Sequence, residues 1–445
     1  MVVNVVYYNE EFILKKVLLL TTIFLCGMFF CYSQENIRKL TVDDAVILAA
    51  DNNISLQRQR ISLNTLEKKK DTSWNGISPS LSASGTMSIP FESDSKLSYS
   101  VSASASLNFT PSLFTAIKTA KLNYENGVTS YENAVRTVEL NVRKVFCNLL
   151  YTKENIQLQE RKLETAKSLY ESNLAKYNRG QLSELDLLNS QYNYESTIPT
   201  LQSLQINYDN SIATFKQTLG LNQSEEIELV GNIEDFLNIG KIEINKNIEE
   251  VPAVKTILAN MELAKTQLLA TRFSAWGPSL SASYNIISAG YGKQNQYLPY
   301  DYFSNLGDSI SIALKIPLDG FLPWSNGALS IANQKANLQD LELQLKEKKE
   351  STELEIQNSI KKIEQAQAQL NVLENNVELA QKRYNMTLTA YNHGSKDLLT
   401  LQNASDALMT ARINLSSQKI TIFSAILDLE NILGVPFGTL GKTDN

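Results

Sequence analysis

Histidine is nearly absent from this chain. His393 is the single one in 445 residues, and cysteine occurs only three times. One histidine leaves neither a histidine-based triad nor a histidine-ligated metal cluster to build. Cys26 and Cys31 lie in the N-terminal apolar segment, so Cys147 alone remains in the body and the mature chain has no intrachain disulfide to form. Glycine (18) and proline (10) are sparse too, and long stretches of Leu, Gln, Asn, Ser, Lys and Glu have the makeup of solvated helices, not of ordinary globular domains. A basic excess is also missing. The net charge of −6 is spread along the chain and offers no face to nucleic acid. There is no phosphate-binding loop, so any work that needs nucleotide energy would draw it from a partner. The expectation is no enzyme, no metal and no cofactor.

Long apolar runs are confined to the N-terminus. Lys15 and Lys16 precede Val17–Phe30, and Cys31-Tyr32-Ser33 stand before a cut ahead of Gln34, so residues 1–33 read as a secretory signal. The run is short for a transmembrane anchor. Neither cysteine follows the small residue of a lipoprotein cleavage box, so no lipid anchor is expected. Glu10 and Glu11 are unusual ahead of the lysines and suggest a start at Leu14. No later stretch is apolar enough for a membrane helix. If the chain crosses a membrane, it does so as strands.

What the chain does have, it has twice. Ser78-Pro79-Ser80-Leu81-Ser82-Ala83-Ser84 returns as Gly277-Pro278-Ser279-Leu280-Ser281-Ala282-Ser283, 199 residues on. Each alternates polar and apolar, the period of a strand with two unlike faces. Leu97–Phe109 alternates likewise, and the return strand in the second half sets Ile310, Ile312, Leu314 and Ile316 against Ser309, Ser311, Ala313 and Lys315. Two hairpins, 78–110 and 278–317, are expected, of about the nine to eleven residues a tilted strand needs to cross a bilayer. Ser82, Ser84, Ser100, Ser102, Ser281, Ser283, Ser309 and Ser311 are assigned to the lumen side and the apolar alternates to lipid. A soluble sandwich also alternates, but it seldom repeats serine so monotonously. Pro79, Pro111, Pro278 and Pro317 mark the helix–strand junctions. Trp74, Trp276 and Trp324 lie close to them, as an interfacial tryptophan belt would. Four strands cannot close a barrel, and open edges in lipid are untenable, so the chain must oligomerise through its strands.

The second repeat is helical. Val128, Val135, Val142, Leu149, Ile156, Leu163, Tyr170 and Tyr177 recur every seven residues, and Ile356, Ile363, Leu370, Val377, Tyr384 and Tyr391 do the same. Such helices reach on the order of 100 Å and carry a narrow dry seam. A fibrous coiled coil would share the seam but not the hairpins. Each long helix ends at a tight turn, Arg179-Gly180-Gln181 or His393-Gly394-Ser395, and a return helix follows. Ser183 is expected to cap the first return helix ahead of Asp186, and Pro199 to kink it. With Asp186 six residues after its glycine and Asp397 only three, the second tip reads as three residues shorter. The organisation is therefore a first repeat 34–219 (tip near 179–183), an irregular equatorial linker 220–252, a second repeat 253–433 (tip near 393–397) and a polar tail 434–445.

With those residues, essentially all of Leu40 to Gly434 resembles the outer-membrane efflux protein family, the TolC-like channels. The likeness is carried by Leu40-Thr41-Val42-Asp43-Asp44-Ala45, the two Pro-Ser-Leu strand starts, and the Asp186-Leu187-Leu188 and Asp397-Leu398-Leu399 hairpins. It implies a mainly α fold with a transmembrane β-barrel. In it a homotrimer forms a twelve-stranded barrel in outer-membrane lipid above a twelve-helix periplasmic tunnel. It further implies that the tips, at Gly180, Gln181, His393, Gly394 and Ser395, meet a periplasmic adaptor and an inner-membrane pump. Asp397 matches an acidic position that narrows the entrance in the family, with Lys396 and Arg179 nearby to offset its charge. The implied function is a passive export duct, the outer-membrane component of a tripartite efflux pump or a type I secretion system. A structural envelope protein is the competing class, but an adaptor would carry one helical hairpin within β-domains, and a surface adhesin would keep its strands at the C-terminus.

Overall fold

The computed structural model describes residues 38–88, 97–231, 247–292 and 306–440. The expected signal segment with Cys26 and Cys31, and the last residues of the polar tail, lie outside the described residues.

The chain opens with β1 (Arg38–Leu40), α1 (Val42–Asn52) and α2 (Ile54–Asp71). Thr41 starts α1 through a reciprocal capping box. Its hydroxyl accepts the Asp44 N–H at 3.3 Å, and the Asp44 carboxylate accepts the Thr41 N–H at 3.1 Å. The first hairpin follows as β2 (Ser80–Ser88) and β3 (Leu97–Phe109). Next come the 66-residue α3 (Ser112–Tyr177), the return helix α4 (Glu184–Leu219) and the short β4 (Ile227–Leu229). The second half gives α5 (Pro252–Trp276), β5 (Ser279–Gly292), β6 (Leu306–Lys315), the 67-residue α6 (Asn326–Asn392) and α7 (Leu398–Leu433). At about 1.5 Å per residue, α3 and α6 each span roughly 100 Å, and α4 and α7 cover about half of that. The upper halves of the long helices pack instead against α2 and α5. α4 stays helical through Pro199.

The helical repeat is stricter than the tip sequences suggest. Helices α3 and α6 start 214 residues apart, and so do α4 and α7, both of which have 36 residues. Four glycines close these helices the same way. The N–H of Gly180 bonds to Tyr177 O and that of Gln181 to Lys176 O; the pattern recurs at Gly220, Gly394 and Gly434. All four glycines have φ between 67° and 72°, the left-handed conformation this cap requires.

The four long strands form one antiparallel sheet in the order β2-β3-β5-β6, with β2 and β6 at its edges. The helices that flank these strands pack in the matching order α2, α3, α5, α6. Below mid-length, the molecule gathers its largest buried core. Leu40, Ala45 and Ala49 meet Val142, Phe146 and Leu149 of α3, Phe215 and Leu219 of α4, and Leu229 of β4. The parallel pair β1–β4 closes this belt. The first heptad ladder is deepest here, with Val142 and Leu149 at most 1% exposed, while Ile363 of the second is fully buried in a separate core against Ile422, Ile426 and Leu429 of α7. Among the described residues no helix is both long and apolar enough to cross a membrane.

Candidate functional site

In an antiparallel sheet, directly opposite residues share a face. The register therefore sorts the strand residues without ambiguity. Ser84 faces Ser102, Ser82 faces Ser104, and Ser104 faces Asn285, which faces Ser309. Ser106 faces Ser283, and Ser283 faces Ser311. Ser100 and Ser281 share that face by alternation. All eight serines singled out in the sequence thus lie together on one side. In the first hairpin their hydroxyls pair across the strands, Ser82 with Ser104 and Thr86 with Ser100 at 2.7 Å, and Ser84 with Ser102 at 2.8 Å. In the second, Ser281 faces Ala313 and turns its hydroxyl to that residue's carbonyl at 3.4 Å. The alternation lapses at Ile287 and Ala313, which lie on the serine side opposite Ser102 and Ser281, and at Ser288 and Asp308, which lie on the other side opposite Val101 and Ile286. The other side carries Leu81, Val101, Leu280, Tyr284, Ile310, Ile312 and Leu314, and in the single chain Leu81 is 80% and Ile312 72% exposed. A sheet with a hydroxyl-rich face and a mostly apolar face separates water from hydrocarbon.

The tryptophans stand where helices become strands, and all three are exposed. Trp276, last residue of α5, donates its indole N–H to Gly320 O at 2.7 Å and stacks on Phe321 with a ring separation of 5.9 Å.

At the far end of the helices, the structure corrects one sequence reading. The second tip is not shortened. Ser183 caps α4, accepting the Asp186 N–H at 3.2 Å, and Asp397 caps α7, accepting the Thr400 N–H at 2.9 Å. Each cap stands three residues after its glycine. Asp397 therefore corresponds to Ser183, and Asp186 to Thr400; matching the two Asp-Leu-Leu strings had slipped the register by three. The Thr400 hydroxyl also donates to the Asp397 carboxylate. These two bonds, hydroxyl first, hold the Asp397 carboxyl below the usual carboxylate range, with Lys396 adding a smaller pull. Arg179 turns its Nε back to Ala175 O at 3.2 Å, and among the described residues it forms no ion pair with Asp397. Ser395 bonds Ala390 O through its hydroxyl at 2.9 Å. Gly180, Gln181, His393 and Gly394 form the turns themselves.

Just inside the tips, polar groups tie the two helical hairpins together. Tyr391 of α6 donates to Asn173 Oδ1 of α3 at 2.9 Å, and Lys176 lies 5.2 Å from the centre of the Tyr391 ring. Lys162 of α3 pairs with Asp406 of α7 at 2.7 Å. Between these links lies a cleft of about 280 Å³, bordered by Lys162, Ser172, Tyr384, Gln402 and Asp406. The sequence reading passed over Asn173, although a signal was present: it stands three residues after the ladder's Tyr170, at the second seam position of its heptad.

The comparisons with known proteins agree with this geometry. The crystal structure of CusC, described in terms of transmembrane channel formation, superposes with a TM-score of 0.75 at 16% identity, covering 89% of this chain and 92% of that one. The Campylobacter jejuni CmeC outer membrane channel gives 0.71 at 18% identity, covering 88% and 85%. The open state of the Neisseria gonorrhoeae MtrE outer membrane channel gives 0.71 at 15%, covering 90% and 91%. Among curated proteins none matches the sequence significantly. The profile described as outer membrane efflux protein matches residues 46–221 and 244–435, most of the chain. With its TolC-like fold, hydroxyl-faced sheet and paired helical hairpins, the chain belongs to the outer membrane efflux protein family and is an outer-membrane export channel with a large periplasmic part.

Proposed function

We propose that three copies of the chain assemble into one duct, a twelve-stranded barrel over a periplasmic tunnel of helices. The observation that carries this reading is the pair of open edges. β2 and β6 each have one unpaired side, and the strict antiparallel order β2-β3-β5-β6 makes them run in opposite directions. The β6 edge of one copy can therefore pair antiparallel with the β2 edge of the next, and the ring closes without changing the pattern. Four strands are too few for a barrel, and lipid would leave both edges unsatisfied.

In this assembly the serine face lines the lumen, and the belt around the β1–β4 pair lies at mid-height outside the tunnel. The tips around Gly180–Gln181 and His393–Ser395 reach farthest from the membrane. They are the contact for a periplasmic adaptor, which couples the duct to an inner-membrane pump. Asp397, with Lys396 beside it, borders the tunnel mouth. The chain is a passive conduit and its partner supplies the energy.

The test is the mass of the detergent-extracted protein by light scattering or native mass spectrometry. A trimer that resists dissociation is expected. A stable, folded monomer in detergent would sink the barrel.

A further inference from the structure

The two repeats make the same strand-to-helix transition at very different lengths. β3 passes into α3 through Thr110 and Pro111 alone, whereas β6 reaches α6 only after residues 316–325. Two residues suffice for the turn, so the extra length serves something else. Its sequence is Ile316-Pro317-Leu318-Asp319-Gly320-Phe321-Leu322-Pro323-Trp324-Ser325, with five large apolar side chains and one charge.

The segment is held firmly. Trp276 donates to Gly320 O and stacks on Phe321. Gly320 packs so closely on the end of α5 that a side chain there would collide with the carbonyl oxygen of Ala275. Phe321 N bonds Leu318 O at 3.2 Å, Ser325 N bonds Leu322 O at 3.0 Å, and the Ser325 hydroxyl caps α6 by accepting the Ala328 N–H at 3.0 Å. Yet the same segment keeps its apolar side chains out of the core: Leu318 is 72% and Trp324 80% exposed, and Ile316 and Phe321 are more than half exposed. A pinned segment that displays apolar surface needs a partner for it.

We propose that residues 316–325 are a wedge seated in the periplasmic leaflet of the outer membrane, with phospholipid as its partner. This rests on the barrel reading above. The choice of lipid over a second copy comes from continuity. Ile310, Ile312 and Leu314 occupy the mostly apolar face, and in sequence Ile316 and Leu318 keep the same alternation past the end of the strand, both of them exposed. A neighbouring copy joins sideways, at the β6 edge. The level also fits, because the segment begins where the strand ends, the depth at which tryptophan settles between acyl chains and water. The wedge fixes the height of the barrel base.

The experiment places nitroxide labels at Leu318→Cys and, separately, Trp324→Cys in the assembled protein, reconstituted in phosphatidylethanolamine–phosphatidylglycerol vesicles. Collision with oxygen is compared with collision with a water-soluble nickel chelate. Ile312→Cys supplies the lipid reference, Ser311→Cys the lumen reference and Lys346→Cys the aqueous one. Cys147 is buried, with its thiol pKa pushed up to about 12, and stays unlabelled. Both wedge labels should favour oxygen, at a shallower depth than Ile312. Nickel accessibility equal to that at Lys346 would overturn the proposal. So would shielding from both reagents, which would place the segment against a neighbouring copy. If the Ile312 label itself favours nickel, the barrel reading fails along with the wedge, and the two failures are thereby told apart.

Discussion

The hydroxyl of Tyr391 is bonded to Asn173, a side chain with no exposed surface, across the seam between the two helical hairpins. Among the described residues the Asn173 Nδ2 has no hydrogen-bond partner, so the side chain is only half satisfied. Removing one partner of a buried bond costs about 1–3 kcal/mol, while replacing both by apolar groups can be nearly neutral. Tyr391→Phe should therefore loosen the hairpin ends, with trypsin cleaving faster around Lys176 and Arg179. The double variant Tyr391→Phe with Asn173→Leu should recover most of the lost protection. If the double variant is as sensitive as the single one, the bond does not hold the hairpins together.

The same tyrosine predicts an alkaline transition. Burial is the largest influence on it and raises its pKa, and the Asp186 charge adds to that. Only the protonated phenol can donate to Asn173. Because the folded-state pKa lies above the unfolded one, the stabilisation is complete below the ordinary tyrosine range, about 10, and is lost as pH rises through the raised value. Proteolysis of the tips should accelerate at strongly alkaline pH in the native protein. In Tyr391→Phe that rise should be absent, since the bond is already gone.

Glu430 gives a prediction at the belt. It is fully buried near the end of α7, and its carboxylate accepts the N–H groups of Gly438, Thr439 and Leu440 at 2.8–2.9 Å. Arg136 of α3 donates to the carbonyls of Glu430 and Val435 and lies 4.6 Å from the centre of the Phe437 ring. Residues 435–440 are thus strapped back onto α3 and α7. Glu430→Gln would turn an amide donor toward backbone N–H groups and cost about 1–3 kcal/mol. Hydrogen exchange should show the amides of residues 438–440 losing protection while α4 keeps its own. Unchanged protection at those three amides would contradict the strap.

Much of this architecture was legible because its signals are periodic. The serine alternation placed eight residues on one face, and the heptad ladders located both long helices and their turns. What misled was local identity. Asp186-Leu187-Leu188 and Asp397-Leu398-Leu399 look alike, yet helix geometry is set by the left-handed glycine and the cap three residues later, a position that Ser and Asp fill equally well. The seam polarity at Asn173 was overlooked because the ladder was read through one of its two positions. The strap on Glu430 depends on the chain folding back after Gly434, which no periodicity announces. The sidedness of the strands remains open to direct test. Cysteines at Ser82, Ser102, Ser281 and Ser311 should react with small water-soluble thiol reagents in the assembled protein, and those at Leu81, Val101, Leu280 and Ile312 should not. Equal reaction on both faces would identify a soluble sheet.

The last prediction separates two roles of Asp397. Its carboxylate caps α7, and three copies in a trimer would bring three such charges around one axis. At the tip the charge should attract cations and resist closure, with Lys396 partly offsetting it. Asparagine caps a helix about as well as aspartate, so Asp397→Asn removes the charge and keeps the cap. Asp397→Ala removes both. If the charge shapes the entrance, both variants should lose cation selectivity and divalent block in planar bilayers. The bonds from Thr400 hold the carboxyl below the usual range, so native selectivity should persist as pH falls through about 4, where an ordinary carboxylate would already be half neutralised. The cap follows the same sense: its stabilisation is full above the unfolded pKa and is lost only as pH drops through the depressed one. Should Asp397→Asn leave conductance, selectivity and divalent block untouched while Asp397→Ala frays the first turn of α7, the residue is a helix cap alone and other side chains shape the mouth.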